Sequence, residues 1–273
     1  MPAPLEPEVP QRPEATDERG ATSESPLVLI PVTAEDVARQ KRRKVLTWLA
    51  LILTVLAVSS YIYRRSTDPL RAQESFDAAQ RLFAVARYDQ AIVACDRAIA
   101  LKPDLVEAYM LRGRSHAVQN DPEHSIPDFT RAIEIRPRDP QAPLERASAY
   151  IDQKNYAAAI SDADSALALD PKLARAYNLR GTGLRGLGEP QKAIEEFTRA
   201  AELEPNSDNF YQRGATYQIV GDHQRAILDF TQAIASDPDK PQAYFARAES
   251  ERAVGDMEQA KQDHGYARYL DGR

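Results

Sequence analysis

The stretch ARAYNLRGTGLRGLGEPQKAIEEFTRAAELEPNS, residues 174–207, decides the fold. Small and apolar residues recur in it every three or four positions, first through Ala176-Tyr177, Arg180-Gly181 and Leu184, then through Ala193-Ile194, Phe197 and Ala200-Ala201. That is the period of helices packed on one face. Between the halves, Gly188 suits the left-handed residue that follows a helix, and Pro190 suits the first turn of the next. The unit reads as two helices joined by a tight turn.

The same unit recurs on both sides. Pro103, Pro137, Pro171, Pro205 and Pro238 are spaced 34, 34, 34 and 33 residues apart. With each proline as position 32, the repeats span 72–105, 106–139, 140–173, 174–207, 207–240 and 241–273, the fourth and fifth sharing Ser207 across the shorter spacing. Position 27 is alanine throughout: Ala98, Ala132, Ala166, Ala200, Ala233 and Ala267. Position 20 reads Ala91, Ser125, Ala159, Ala193, Ala226 and Ala260; position 8 reads Ala79, Gly113, Ala147, Gly181, Gly214 and Ala248. Small residues at 8 and 20 let two antiparallel helices approach closely, and the alanine at 27 admits the following unit. Tyr109, Tyr177, Phe210 and Tyr244 at position 4, with Phe129, Phe197 and Phe230 at position 24, fill the space beside them.

This pattern resembles the tetratricopeptide repeat family, whose 34-residue signature has an aromatic at position 4, small residues at 8, 20 and 27, and proline at 32. The resemblance covers residues 72–273, with Ser75 and Pro143 departing at position 4 and Cys95, Ala163 and His264 at position 24. It implies an all-α fold, a right-handed superhelical array of six helical hairpins, here following one N-terminal transmembrane helix.

The N-terminal part carries the evidence for that span. Residues 1–38 hold eight acids and two bases, 39–65 hold seven bases and no acid, and the remainder brings the chain to its net charge of −6. The proline-rich acidic segment 1–38 reads as a disordered tail; within it Leu27-Val28-Leu29-Ile30 is either a docking motif or an accident of composition. After a basic flank at 39–44 comes an uncharged run, 45–63, closed by Arg64 and Arg65. As a helix its 19 residues reach roughly 28 Å, close to a hydrocarbon core. Trp48 and the pair Tyr61 and Tyr63 suit the two interfaces. A cleaved leader ending near Ala57-Val58-Ser59 and a buried core helix are the competing readings. A retained anchor is expected, with 64–71 as a short linker. Arg39, Lys41, Arg42, Arg43 and Lys44 precede the run, against Arg64, Arg65 and Arg71 after it. The positive-inside bias places the N-terminus in the cytoplasm and the array across the membrane. Arginine exceeds lysine 27 to 8, which leans toward a GC-rich bacterial source and so a periplasmic array.

Catalytic and cofactor signatures are not found: no P-loop, dinucleotide-binding glycine pattern, zinc spacing or nucleophile elbow occurs. No enzyme, cofactor or metal is expected, and no nucleic-acid partner, because the bases cluster beside the apolar run. His116, His124, His223 and His264 occupy unrelated repeat positions and read as packing or turn residues, and Cys95 as a buried hydrophobe. Arg112/Asp128, Arg146/Asp162, Arg180/Glu196, Arg213/Asp229 and Arg247/Asp263 pair position 7 with position 23. This ladder reads as architecture, of partly exposed pairs contributing about 0–1 kcal/mol each.

The family resemblance implies that binding residues line the concave side at positions 2, 5, 9 and 12 of each first helix. These are Phe76, Gln80, Phe83, Met110, Arg114, Leu144 and Ile151 in the first three repeats, and Arg175, Asn178, Thr182, Arg185, Tyr211, Gln218, Phe245, Glu249 and Arg252 in the last three. The carboxylate clamp of the family's co-chaperones is absent, since Phe76, Met110 and Leu144 stand at position 5 and Asp77, Leu111 and Glu145 at position 6. The expected function is a membrane-anchored scaffold, held in the lipid bilayer by 45–63, that binds an extended protein or peptide segment. Alternatives are an accessory subunit of an envelope enzyme or assembly machine, and an organelle-surface receptor with cytosolic repeats. Lys261, His264 and Arg268 make the last helix polar where its counterparts are apolar, so the array is expected to cap itself and stay monomeric.

Overall fold

The computed structural model describes residues 33–272; residues 1–32 of the expected tail 1–38, with the Leu27-to-Ile30 motif, lie outside them, and its residues 34–38 are helical rather than disordered. Twelve α-helices occur among the described residues, which divide into two units on either side of the step from Ser60 to Tyr61. The first helix, α1, spans Ala34–Ala84. Its large apolar side chains between Val45 and Tyr63 are each more than half exposed, and it is the one described helix long and apolar enough to cross a membrane. The segment 64–71, read as a linker, is helical.

In the second unit each repeat contributes one A and one B helix. The A helices are α3 (Val106–Val118), α5 (Gln141–Asp152), α7 (Ala174–Gly186), α9 (Ser207–Ile219) and α11 (Pro241–Val254), with the end of α1 serving repeat 1. The B helices are α2 (Tyr88–Leu101), α4 (Pro122–Ile135), α6 (Tyr156–Leu169), α8 (Pro190–Leu203), α10 (His223–Ser236) and α12 (Met257–Asp271). Position 15 is left-handed in all six turns: Gly188, Gly221 and Gly255 as the sequence suggests, but also Ala86, Asn120 and Lys154, with φ of 57°, 58° and 59°. In each turn the next residue's N–H closes back on a carbonyl five residues earlier, as from Asp121 to His116 at 3.0 Å and Asn155 to Tyr150 at 2.8 Å.

Position 8 meets position 24 across each hairpin, and the two volumes are matched. A Cβ added to Gly113, Gly181 or Gly214 would lie 2.7, 2.9 and 2.9 Å from the Cε1 of Phe129, Phe197 and Phe230. Where position 24 is Cys95, Ala163 or His264, position 8 is alanine. The departures from the family pattern at position 24 are thus compensated in the facing helix. Aromatics at position 4 have a second partner, since the Tyr109 and Tyr177 hydroxyls donate to the carbonyls of Pro103 and Pro171 at 3.3 and 3.2 Å.

All five arginine–acid pairs form. Arg146 donates from Nε and Nη2 to the two oxygens of Asp162 at 2.8 and 2.7 Å, and Arg213 binds Asp229 in the same fork. The acids are more buried than the expected surface pairs: the side chains of Asp128, Asp162, Asp229 and Asp263 are only 6–8% exposed. Each arginine also reaches position 25 of the preceding repeat, Arg146 to Thr130 at 2.9 Å, Arg180 to Asp164 at 2.7 Å and Arg247 to Thr231 at 3.0 Å. One guanidinium therefore staples three helices.

This packing makes two changes in stability measurable. Asp162→Ala strands the partly buried Arg146 and is expected to cost roughly 2–3 kcal/mol, between the values for exposed and buried pairs. An unchanged urea midpoint would show that the pair contributes nothing. Gly181→Ala is expected to cost about 1–3 kcal/mol through overpacking against Phe197. Combining it with Phe197→Cys, the pairing of repeat 1, should lose less than the sum of the two single changes.

Candidate functional site

Successive A helices touch one another, α3 with α5, α5 with α7, α7 with α9 and α9 with α11, whereas among the described residues no such pair joins two B helices. A stack whose elements approach more closely on one side curves toward that side. The A helices therefore line the concave surface, and the stripe at positions 2, 5, 9 and 12 lies on them.

Burial corrects two members of that stripe. Phe76 packs against Ala98, Leu105 and Ala108, and Leu144 is 1% exposed in the core of repeats 3 and 4. Position 5 there points between repeats, where the next unit covers it. Met110, Ile151 and Tyr211 are partly buried against core clusters, and Phe83 and Phe245 stand edge-on to Tyr88 and His264 with ring centroids 5.3 Å apart. Gln80, Glu249 and Arg252 belong to the same stripe, and Arg252 is exposed.

The polar stripe residues are tied to their neighbours. Asn178 donates to Asn209 Oδ1 at 2.8 Å, the Thr182 hydroxyl donates to the Asn178 carbonyl at 2.9 Å, and Gln218 Nε2 donates to the Ala246 carbonyl and Ser250 Oγ, both at 2.8 Å. Glu145, at position 6 and outside the expected stripe, is the hub of the first half. Arg114 donates to its Oε1 at 2.9 Å and Arg175 to its Oε2 at 3.0 Å, so one carboxylate from repeat 3 bridges repeats 2 and 4. Burial pushes the Glu145 carboxyl up, but the Arg175 and Arg114 guanidiniums more than reverse this and hold it below the usual glutamate range.

Arg185 is different. It donates to the Gln212 carbonyl at 3.3 Å, to Gln212 Oε1 at 2.6 Å and to Thr216 Oγ1 at 3.2 Å, and it lies 5.3 Å from the centroid of the Phe197 ring. All of these are neutral, and no carboxylate pairs with it among the described residues. Burial accordingly lowers its pKa, although a guanidinium stays charged. Two clefts open beside this region. One of about 330 Å³ is lined by Arg175, Asn178, Leu179, Glu204, Asn206, Asp208 and Asn209, the other of about 260 Å³ by residues around Tyr211, Gln212 and Lys240. The arrangement offers an apolar stretch at Phe83 and Met110, then Arg114 and Arg175 around the Glu145 carboxylate, then Arg185 among neutral partners.

Family models described as tetratricopeptide repeat match residues 76–143, 144–173, 174–207 and 211–264. The chain belongs to the tetratricopeptide repeat family. Members mediate protein–protein interactions. RNA polymerase II-associated protein 3 of Homo sapiens is 33% identical over 96 residues, 35% of this chain and 14% of the relative. Small glutamine-rich tetratricopeptide repeat-containing protein 2 of Saccharomyces cerevisiae is 30% identical over 98 residues, 36% of this chain and 28% of the relative. The chain thus spans less than a third of the length of these two curated relatives. Among solved structures, Pseudomonas aeruginosa pilF superposes with a TM-score of 0.64 at 14% identity, covering 76% of this chain and 95% of that one. A thermophilic protein of the family from Thermus thermophilus gives 0.56 at 20% identity, with 67% and 98% covered. At these identities the likeness is one of fold.

Glu145 generates a pH prediction. A carboxyl held below its ordinary value stabilises the fold above the unfolded pKa, about 4.3, and that contribution disappears as pH falls through the lower folded value. Glu145→Gln is therefore expected to lower the urea midpoint at neutral pH and to approach the wild type at acid pH, below the folded value of Glu145. A deficit of the same size at both pH values would mean that its charge plays no part.

Proposed function

We propose that this protein is a membrane-anchored, non-catalytic scaffold whose concave groove holds an extended, acidic segment of a protein partner. The observation that carries the reading is Arg185, a partly buried cation solvated only by neutral groups, on the same stripe as Arg114 and Arg175. A partner carboxylate there would supply the charge-assisted bond that the array itself does not provide. Phe83 and Met110 give the same segment an apolar anchor further along the groove. The helical run 45–63 is the membrane anchor in this reading. The excess of bases on its N-terminal side favours a cytoplasmic N-terminus and an array on the far side, periplasmic in a bacterial cell. The polar last helix, with Lys261 and Arg268 exposed, favours a monomeric array.

The experiment is capture followed by measurement. A photoreactive group in place of Gln80 should crosslink a protein in native membranes, and the captured segment should be acidic. Arg185→Ala is expected to weaken binding of that segment by more than about tenfold, equivalent to about 1.4 kcal/mol at a binding hot spot. Unchanged affinity in Arg185→Ala and Arg175→Ala, with helicity intact, would place binding elsewhere on the array. External protease acting on spheroplasts should digest the repeats and spare an N-terminal tag; the reverse pattern overturns the topology.

A further inference from the structure

The four histidines carry no shared repeat position, yet the fold brings two of them together. His116 stands near the end of α3 at position 11, and His124 in the first turn of α4 at position 19. Their rings stack with centroids 5.1 Å apart and planes 22° from parallel. Between them stands Asp121, the residue that caps α4. Its Oδ2 lies 3.3 Å from His116 Nδ1 and 2.7 Å from His124 Nδ1. One donor atom from each of the three residues falls within 4.8 Å of the others.

The turn itself holds this constellation. Asn120 adopts the left-handed conformation, and the Asp121 N–H closes onto the His116 carbonyl at 3.0 Å. The other carboxylate oxygen, Oδ1, accepts the His124 backbone N–H at 3.3 Å. One oxygen of Asp121 thus fixes the helix start while the second faces both imidazoles. Ligand atoms held about 2.0–2.1 Å from a tetrahedral ion lie about 3.3 Å apart. The His116 Nδ1-to-Oδ2 distance matches that separation, whereas the His124 nitrogen has to back away from Oδ2 and the stacked rings have to turn so that both nitrogens face one ion.

The equivalent turns show what packing alone requires. In repeat 5 the same three positions are Tyr217, Asp222 and Arg225, and the guanidinium occupies the site, 2.7 Å from Asp222 Oδ2 and 5.1 Å from the Tyr217 ring centroid. In repeat 4 Lys192 pairs with Glu189 at 2.6 Å. Position 19 is Gln90, Ala158 and Gln259 in repeats 1, 3 and 6, so packing and capping require no particular side chain there, and repeat 2 alone sets two imidazoles against its capping acid. We infer that His116, Asp121 and His124 form a binding site for a divalent first-row transition ion of the zinc class. Two imidazoles and a carboxylate are the donors such ions take, with water completing the coordination. The adjacent cleft of about 380 Å³ is lined by Asp96 and Asp128, whose charges Arg112 pairs, so Asp121 alone supplies the negative charge of the site.

The ion would join the end of α3 to the start of α4 on the turn side of repeat 2, away from the groove, so binding here is separable from the partner site. The test uses Zn²⁺ alone with the untagged full-length chain in detergent, competing against a chromophoric chelator. Asp121→Asn keeps the cap, because asparagine serves there as well as aspartate, but removes the anionic ligand. His124→Gln changes a side chain that is 67% exposed, leaving the fold undisturbed. Wild-type protein should draw Zn²⁺ from the chelator, and each variant should lose affinity by more than about tenfold, at least the cost of disturbing a supporting residue around a bound metal. A wild type that fails to compete, or a His124→Gln variant that competes equally well, overturns the site.

Discussion

How closely helices A and B of one repeat can approach is the constraint on which the rest of the array depends. In three hairpins a phenylalanine ring lies where the Cβ of the facing residue would be, so that residue is glycine. In the other three a smaller or polar group faces an alanine. The contact is kept close while the division of volume between the two helices varies. Interiors packed at crystal-like density permit this and little else. Because every repeat solves the same volume problem, the hairpins share one geometry and can stack.

Stacking then needs a register between repeats, and the arginine at position 7 supplies it. Each guanidinium grips the acid of its own B helix and reaches back to a hydroxyl or carboxylate on the preceding B helix. The aromatic at position 4 lies beneath it in repeats 2, 4, 5 and 6, at 5.4–5.9 Å from ring centroid to guanidinium carbon. These charges are neutralised where they stand. They belong to the scaffold, and a partner approaching the groove meets a different set of arginines.

The repeat boundaries, helix pairs and arginine–acid ladder were legible because they depend on spacing within one unit. What crosses between units was not. The preceding-repeat partners of position 7 are threonine or aspartate, too ordinary to stand out. Position 5 sits on the border between groove and inter-repeat contact, and helical period alone could not show that Phe76 and Leu144 turn inward. Glu145 was missed because it falls one residue outside the stripe, although it organises Arg114 and Arg175. The His116, Asp121 and His124 cluster spans a turn at intervals of five and three residues that match no zinc-motif spacing. Only the left-handed Asn120 folds those positions back onto one another.

The charge of the groove has to be reconciled with that of the unit around it, since residues 66–273 carry a net charge of about −7 by difference from the whole chain. An acidic partner would be repelled by that total if charges acted over the full length of the array. At physiological salt the screening length is about 8 Å, so the field at the groove floor comes from the residues that line it. There Arg114 and Arg175 share Glu145, Glu204 and Asp208 line the cleft beside Arg175, and Arg185 is the cation whose partners are all neutral. The desolvated position of Arg185 strengthens any bond formed there, because low local polarity magnifies a paired charge as much as it penalises an unpaired one. Local arrangement rather than net charge therefore sets the sign of what the groove accepts.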